Sequence, residues 1–318
     1  MSSDNAVVRW LLDSDPSIRW QVLRDLLDAP PELVNAERSR IAAEGWGAHL
    51  LGQQTEDGHW GGSTESEHHE ADLFTLQLLR EFGVDQSDER MRNAIARTRD
   101  RVTWGAEFGD SPFFEGETEP CINGLVLAIG AYFGVASESL VGRLLGEQLD
   151  DGGWNCEAPP SIRSSFDTTI CVLEGLAEYE RTTGAAPDVT AARKRAETYL
   201  LERGLMRSLS TGDIITHRWG RFHFPTRTRY DVLRALDYFR ATDAAPEPRL
   251  RDAIDLVRER RHGNGRWPQS APNSTWVPIA MDNGRGTPSR WITLRAMRVL
   301  RWADAGRTGP LQPSLRPK

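Results

Sequence analysis

Three short stretches share one internal spacing and decide how the chain folds. They lie at 54–60 (QTEDGHW), 148–154 (QLDDGGW) and 261–267 (RHGNGRW). Each begins with a long polar side chain, carries glycine at its fifth position and ends in tryptophan. Such a box, returning along a chain, indicates that the fold is assembled from similar structural units.

The segments around the boxes predict one pair of helices per unit. Six segments are strongly apolar, with apolar residues at three- and four-residue steps. They alternate along the chain with amphipathic segments that carry more charge. The apolar segments align on six leucines: Leu23, Leu76, Leu127, Leu173, Leu233 and Leu294. Such pairs bury their apolar faces only by stacking. We therefore predict an all-α, closed (α/α)6 toroid over residues 1–305, followed by a disordered tail at 306–318.

Composition excludes several classes of function. The chain has 318 residues, 39 Lys+Arg against 46 Asp+Glu, and a net charge of −7, so a nucleic-acid partner has no electrostatic support. Only two lysines occur, Lys194 and Lys318, and no phosphate-binding glycine motif is present. We expect no nucleotide, pyridoxal phosphate (PLP) or flavin. The longest apolar stretch, 124–136, is too short to span a bilayer, and we expect a cytoplasmic protein.

The boxes resemble the Q-x-x-D/E-G-x-W box of the α/α-toroid superfamily of terpene cyclases and protein prenyltransferases. The resemblance covers nearly the whole chain, which has room for one toroid, as in single-domain squalene-cyclase-like proteins. From the box itself we expect the tryptophans, among them Trp60 and Trp154, to clamp the fold by covering the junction between helices. The resemblance implies an enzyme that acts on a hydrophobic, isoprenoid-class substrate in a central cavity.

In a ring of parallel inner helices, all helix N-termini open at one mouth, where side chains several residues before the aligned leucines form a rim. We predict that this rim acts on the substrate, with an apolar cavity behind it. The predicted catalytic residues are Asp167, Glu70 and Tyr230. The predicted substrate-binding residues are Arg229, Arg290, Trp20, Trp291 and Asn123. The alternative is that these residues are helix caps and filled core.

Asp167 is the predicted acid. Class II terpene cyclases, which the fold resembles, protonate their substrate with the middle acid of D-x-D-D, and 165–169 (SFDTT) keeps only that acid. An aspartate at a helix start also serves as an N-cap, which is the alternative for Asp167. No aspartate-rich diphosphate motif accompanies it, so magnesium-assisted ionisation is not expected.

The cysteines predict an optional zinc site. Protein prenyltransferases hold zinc with D-x-C and a histidine, and Glu119-Pro120-Cys121 resembles the first element. We predict that Cys121, Cys156 and Asp167 converge as ligands, with Glu119, a histidine or water as the fourth. The alternative is that the cysteines are unliganded core residues, which we expect for Cys171.

Other polar groups at the rim give further candidates. We consider four histidines as bases or ligands, His68, His69, His217 and His223, and Arg227 as a further site for an anionic head group. The preferred function is a terpene-cyclase-like or prenyltransferase-like enzyme with a hydrophobic small-molecule substrate. The alternative is a non-catalytic toroid that binds a lipid or a partner peptide.

Overall fold

The computed structural model describes residues 3–61, 65–184, 186–242, 245–270, 279–281 and 284–305. Within these ranges the regular structure is helical, with short 3-10 turns and isolated β-bridges but no strand. The α-helices are α1 (Ser3–Leu12), α2 (Pro16–Asp25), α3 (Pro31–Arg38), α4 (Gly45–Gly52), α5 (Glu65–Phe82), α6 (Glu89–Arg101), α7 (Pro120–Tyr132), α8 (Glu138–Gly146), α9 (Phe166–Thr183), α10 (Pro187–Glu202), α11 (Val232–Ala241), α12 (Arg251–Glu259) and α13 (Arg290–Ala305).

Six of these helices, α2, α5, α7, α9, α11 and α13, form a closed ring. Helix α7 packs against α5 on one side and α9 on the other, and α11 packs against α13. The ring closes where Arg298 Nη1 of α13 donates to Gln21 Oε1 of α2 at 2.8 Å. From α2 the indole of Trp20 then donates to the carbonyl of Phe82 at the end of α5. The other helices pack outside this ring, and the predicted all-α toroid is confirmed.

The three box tryptophans make the same contact. Each indole Nε1 donates to the carbonyl oxygen of the residue ten positions earlier, at the end of the preceding outer helix. The pairs are Trp60 with Leu50 at 2.8 Å, Trp154 with Leu144 at 2.7 Å and Trp267 with Val257 at 2.7 Å. All three rings are buried in the core. Each box therefore ties the end of an outer helix to the start of the next inner one.

The first residue of each box holds the turn itself. The amide Nε2 of Gln148 donates to the carbonyl of Gly152 at 2.6 Å and to that of Ala192, on the next outer helix, at 2.8 Å. The amide of Gln54 makes the equivalent pair of bonds. In the third box, Arg261 Nε takes over the bond to the turn carbonyl at 3.1 Å. A long side chain with an N–H donor is what this position requires.

Helix α13 enters the ring three residues out of the register expected from its leucines. The backbone N–H of Trp154 donates to Thr169 Oγ1 in α9, and that of Trp267 donates to Thr293 Oγ1 in α13, both at 3.1 Å. Thr293 therefore occupies the position that Thr169 has in α9. Leu173 follows Thr169 by four residues, so its equivalent in α13 is Met297 and not Leu294. Apolar residues three positions apart lie on one helix face, so periodicity alone does not separate the two registers.

Helices α7 and α9 approach closely because glycines face each other. A Cβ on Gly175 would lie 2.5 Å from the carbonyl oxygen of Gly124, and a Cβ on Gly124 would lie 2.5 Å from the carbonyl carbon of Cys171. This close approach places the first turns of the two helices side by side.

Among the described residues, no helix is both long enough and apolar enough to cross a bilayer. The tail predicted at 306–318 lies outside the described residues.

Candidate functional site

Two cysteines and a glutamate meet at the mouth of the ring, and we refer to Glu119, Cys121 and Cys156 as the thiol cluster. Glu119 is the N-cap residue of α7, and Pro120 begins the helix. Cys121 is in the first turn of α7, and its thiol donates to Glu119 Oε2 at 3.4 Å. Cys156 lies on the turn before α9. One carboxylate oxygen and the two Sγ atoms all lie within 4.8 Å of one another.

The two thiols of the cluster differ in acidity. The neighbouring thiol of Cys156, together with burial, raises the pKa of Cys121 well above its ordinary value. The neighbouring Cys121 in turn lowers the pKa of Cys156, whose sulfur also lies 3.4 Å from Thr168 Oγ1 in α9. The pKa of Cys156 is therefore the lower of the two. Thiolate sulfurs and a carboxylate oxygen are ligand types that tetrahedral zinc binds, and the cluster brings three of them together among the described residues.

The structure directs Asp167 away from the thiol cluster. Its Oδ1 accepts the backbone N–H of Tyr230 at 2.7 Å, and its Oδ2 lies 3.7 Å from the guanidinium of Arg218. Among the described residues, the candidate ligand group contains Glu119 where we had expected Asp167. The N-cap alternative for Asp167 is wrong, because Ser165 caps α9 and accepts the N–H of Thr168. Asp167 instead joins the start of α9 to the segment before α11.

Glu70 takes part in an ion pair that spans the ring. Arg227, just before α11, places Nη1 2.9 Å from Glu70 Oε1 of α5, on the opposite side of the ring. Its guanidinium also covers the ring of Phe74 at 4.5 Å. The carbonyl of Arg227 accepts from Arg234 Nη1 at 2.9 Å, which anchors the segment from below. We refer to the ion pair of Arg227 with Glu70 as the Arg227 latch, and it crosses part of the mouth of the ring.

Three of the predicted rim residues serve the packing of the ring. Tyr230 is buried and donates from its hydroxyl to the carbonyl of Leu205 at 2.7 Å. Burial raises the pKa of Tyr230 well above its ordinary value. The side chain of Asn123 bonds both the N–H and the carbonyl of Glu117, and so shapes the turn before α7. Trp20 covers the end of α5 through its bond to Phe82.

The other predicted binding residues occupy different surroundings. Trp291 stacks between Phe224, at 4.3 Å between ring centroids, and Phe82, at 5.5 Å. Arg290 points to α1, where it donates to the carbonyls of Trp10 and Asp13. Arg229 is exposed beside the mouth.

The candidate histidines lie in different surroundings, and one of them, His69, makes a side-chain hydrogen bond to a neighbouring protein group. His59, in the first box, bonds Asp72, and its ring lies 4.6 Å from that of His68. His69 bonds the carbonyl of Thr103 at 3.1 Å, and the ring of His223 lies 3.9 Å from Asp231. His217 lies in a 3-10 turn. Within the described ranges, the candidate ligand group includes no histidine.

Behind the mouth, the interior of the ring is charged. Arg234 of α11 is fully buried and pairs with Glu174 of α9 at 2.8 Å. Asp237, one turn further along α11, accepts from Arg298 at 2.8 Å and Arg295 at 3.2 Å, both on α13. These charges cross from helix to helix inside the ring, and we refer to the five residues as the interior ion-pair network. It lies where an apolar cavity was expected.

The network also shifts the pKa values of its acids. Burial alone would raise the pKa of Asp237, but Arg298, Arg240 and Arg295 together hold it far below its ordinary value. Nearby Glu81 shows the opposite result, because burial outweighs the arginines and raises its pKa. The sequence patterns did not indicate these residues as part of the site. The available signal was a charge next to an aligned leucine, as with Glu174 and Arg234.

No protein-family model and no curated protein matches the chain. Among solved structures, the chain is similar to the apo form of the type II terpene cyclase MstE from Scytonema. The identity is 16%, the TM-score is 0.48, and the match covers 96% of this chain and 98% of that one. A variant of MstE in complex with its substrate geranylgeranyl dihydroxybenzoate matches at 16% identity and a TM-score of 0.46, over 96% and 97% of the two chains.

Proposed function

We propose that this α/α-toroid protein is a zinc-dependent enzyme whose centre is the thiol cluster at the mouth of the ring. The observation that carries the proposal is the convergence of Glu119, Cys121 and Cys156 within 4.8 Å. Three protein ligands with an open fourth position are typical of catalytic zinc, whereas structural zinc has four protein ligands. Zinc bound here would supply a Lewis acid that activates a thiol or a water molecule.

Hydrogen bonds from neighbouring residues orient the side chains of this centre. The Thr168 hydroxyl bonds the sulfur of Cys156 and so orients it toward Cys121. Glu119 accepts the hydrogen bond of the Cys121 thiol and fixes its rotamer. The cluster stands at the N-terminus of α7, where the helix dipole favours negatively charged groups.

We propose that the substrate is hydrophobic and isoprenoid-like, and that it lies at the mouth rather than along the ring axis. The interior ion-pair network fills the axis with charge, and burying an apolar chain among ion pairs would leave their polar groups unsatisfied. The exposed Arg229 beside the mouth is available to an anionic head group. Geranylgeranyl dihydroxybenzoate, the substrate in the MstE complex, is a suitable first probe.

Metal analysis of the purified protein tests the proposal. Wild-type protein is expected to carry about one zinc ion per chain. Cys121→Ser, Cys156→Ser and Glu119→Gln should each lower zinc retention during dialysis, because each removes one ligand. Asp167→Asn is the matched control, since it changes a carboxylate on the neighbouring helix without touching the cluster. Metal-free wild-type protein that also fails to take up added zinc would rule out the proposed centre.

The closed Arg227 latch supports a second candidate, the non-catalytic toroid that binds a lipid or a partner peptide. If the zinc-loaded protein binds the isoprenoid probe but never converts it, whereas Arg227→Ala increases binding, the binding module is the better description. Turnover by the zinc-loaded protein that is lost in Cys156→Ser would favour the enzyme.

A further inference from the structure

The two sulfurs of the thiol cluster come from different parts of the chain. Cys121 is held in the first turn of α7 and is buried, whereas Cys156 lies on an irregular turn and is partly exposed. Their Sγ atoms lie within 4.8 Å of each other. A disulfide requires about 2.05 Å between the sulfurs. To bring the two sulfurs together, the turn that carries Cys156 has to move, because α7 is held in place by its packing against α9.

We infer that Cys121 and Cys156 form a reversible intramolecular disulfide when the protein meets a peroxide. The thiol cluster is therefore a site of oxidative modification. Disulfide formation needs only the two neighbouring thiols. Its consequence, loss of both sulfur ligands and release of the metal, rests on the proposed zinc centre.

The chemistry proceeds in two balanced steps. The more accessible sulfur, that of Cys156, attacks one oxygen of hydrogen peroxide, which gives a sulfenic acid and releases one water molecule. The sulfur of Cys121 then attacks the sulfur of Cys156. The S–S bond forms, the S–O bond breaks, and the hydroxide leaves with the proton of Cys121 as a second water. Two thiols are oxidised by two electrons, and one peroxide is reduced.

The third cysteine provides an internal control. Cys171 is fully buried in α9, where its thiol faces the carbonyl of Thr228 at 3.5 Å and lies 3.6 Å from Arg234 Nη2. Peroxide does not reach it in the folded protein, so it is expected to remain reduced. Three thiols in the reduced chain should therefore become one.

The experiment uses the full-length protein after chelation of bound metal. Reduced protein is treated with a small excess of hydrogen peroxide, and free thiols are counted before and after denaturation. Peptide mapping by mass spectrometry should find the Cys121 and Cys156 peptides joined and Cys171 alkylated, and dithiothreitol should restore three thiols. A crosslink that includes Cys171, only intermolecular disulfides, or three unchanged thiols would each overturn the inference.

Two further observations complete the test. Cys156→Ser changes a partly exposed residue on a turn, so the variant should fold, and peroxide should leave Cys121 as a reduced thiol in it. Wild-type protein that forms the disulfide but never binds zinc supports the inference and contradicts the proposed function. Protein that binds zinc but, once chelated, never pairs the two thiols overturns the inference and leaves the proposed function standing.

Discussion

Arg234 is a single charge placed inside the ring, and its side chain is 0% exposed. It neutralises Glu174 and holds the carbonyls of Arg227 and Arg229 through the same guanidinium. Removing one member of a buried pair leaves the other charge without compensation. The buried arginine therefore stabilises the fold only while its partners are present.

We predict that Arg234→Met destabilises the protein by about 3–5 kcal/mol, because Glu174 then loses the guanidinium with which it pairs inside the ring. Urea unfolding followed by circular dichroism measures the change. Adding Glu174→Gln to the same chain should recover part of the loss. Arg99→Met, which breaks an exposed pair with Asp100, is the control and should leave the midpoint unchanged. An Arg234→Met protein as stable as wild type would mean that Glu174 is accessible to water.

Trp154 combines a buried ring with one hydrogen bond across a helix junction. We predict that Trp154→Ala costs about 3–5 kcal/mol, as expected for truncating a large core side chain. Trp154→Phe keeps most of the apolar contact but loses the bond to Leu144, and should cost less. Chemical denaturation of both variants separates packing from hydrogen bonding. Equal losses would show that the indole N–H carries the whole effect.

At the scale of the helix, glycine decides how near α7 and α9 can come. We predict that Gly175→Ala destabilises the protein by about 1–3 kcal/mol, because its Cβ would overlap the carbonyl oxygen of Gly124 and force the helices apart. Gly142→Ala is the matched control: it lies inside helix α8 with open space around it, and should stabilise by about 0.5–1 kcal/mol. Thermal unfolding of both proteins gives the comparison, and the same sign for both would contradict the argument.

The same close approach governs the candidate site. Cys121 lies in the first turn of α7, and Thr168, which bonds Cys156, lies in the first turn of α9. A small separation of the two helices therefore also separates the sulfurs. Gly175→Ala should weaken zinc retention as well as stability, although residue 175 lies about two turns along α9 from Thr168.

At the scale of the whole molecule, ion pairs link the inner helices of the ring, and the stability that they contribute depends on pH. The arginines of α11 and α13 hold the pKa of Asp237 below its ordinary value, although burial opposes them. A carboxylate with a lowered pKa in the folded state contributes stability above its unfolded pKa, near 3.9, and loses it as pH falls toward the folded value.

We therefore predict that the urea midpoint changes little from this group between pH 5 and 7 and falls below about pH 4. Asp237→Asn should be less stable at pH 7, by about 3–5 kcal/mol, because Arg295 and Arg298 lose the carboxylate that they share. It should also show a shallower decline in acid. Unfolding curves from pH 2 to 7 provide the measurement, and parallel declines for variant and wild type would exclude Asp237 as the source.

The described structure shows which inferences local sequence supports. The boxes and the aligned leucines predicted the helix pairs, because those contacts are set by spacing within a few turns. The closed ring followed from the number of pairs, since such pairs bury their apolar faces only by stacking. Asp167 and Glu119 show the limit at the candidate site. Both are acids at the start of an inner helix, and nothing in their spacing shows that the carboxylate of Glu119 turns toward the thiols while that of Asp167 turns toward Tyr230.

The sequence by itself determined the repeat, the all-α class and the neighbourhood of Cys121 and Cys156 at the mouth. Only the tertiary structure decided the register of α13, the Arg227 latch and the interior ion-pair network. The physical reason is distance along the chain. Glu70 and Arg227 are separated by 157 positions, and they meet because ring closure places α5 opposite α11. Periodicity fixes which face of a helix is buried, but the partner of a buried charge is chosen by the fold as a whole.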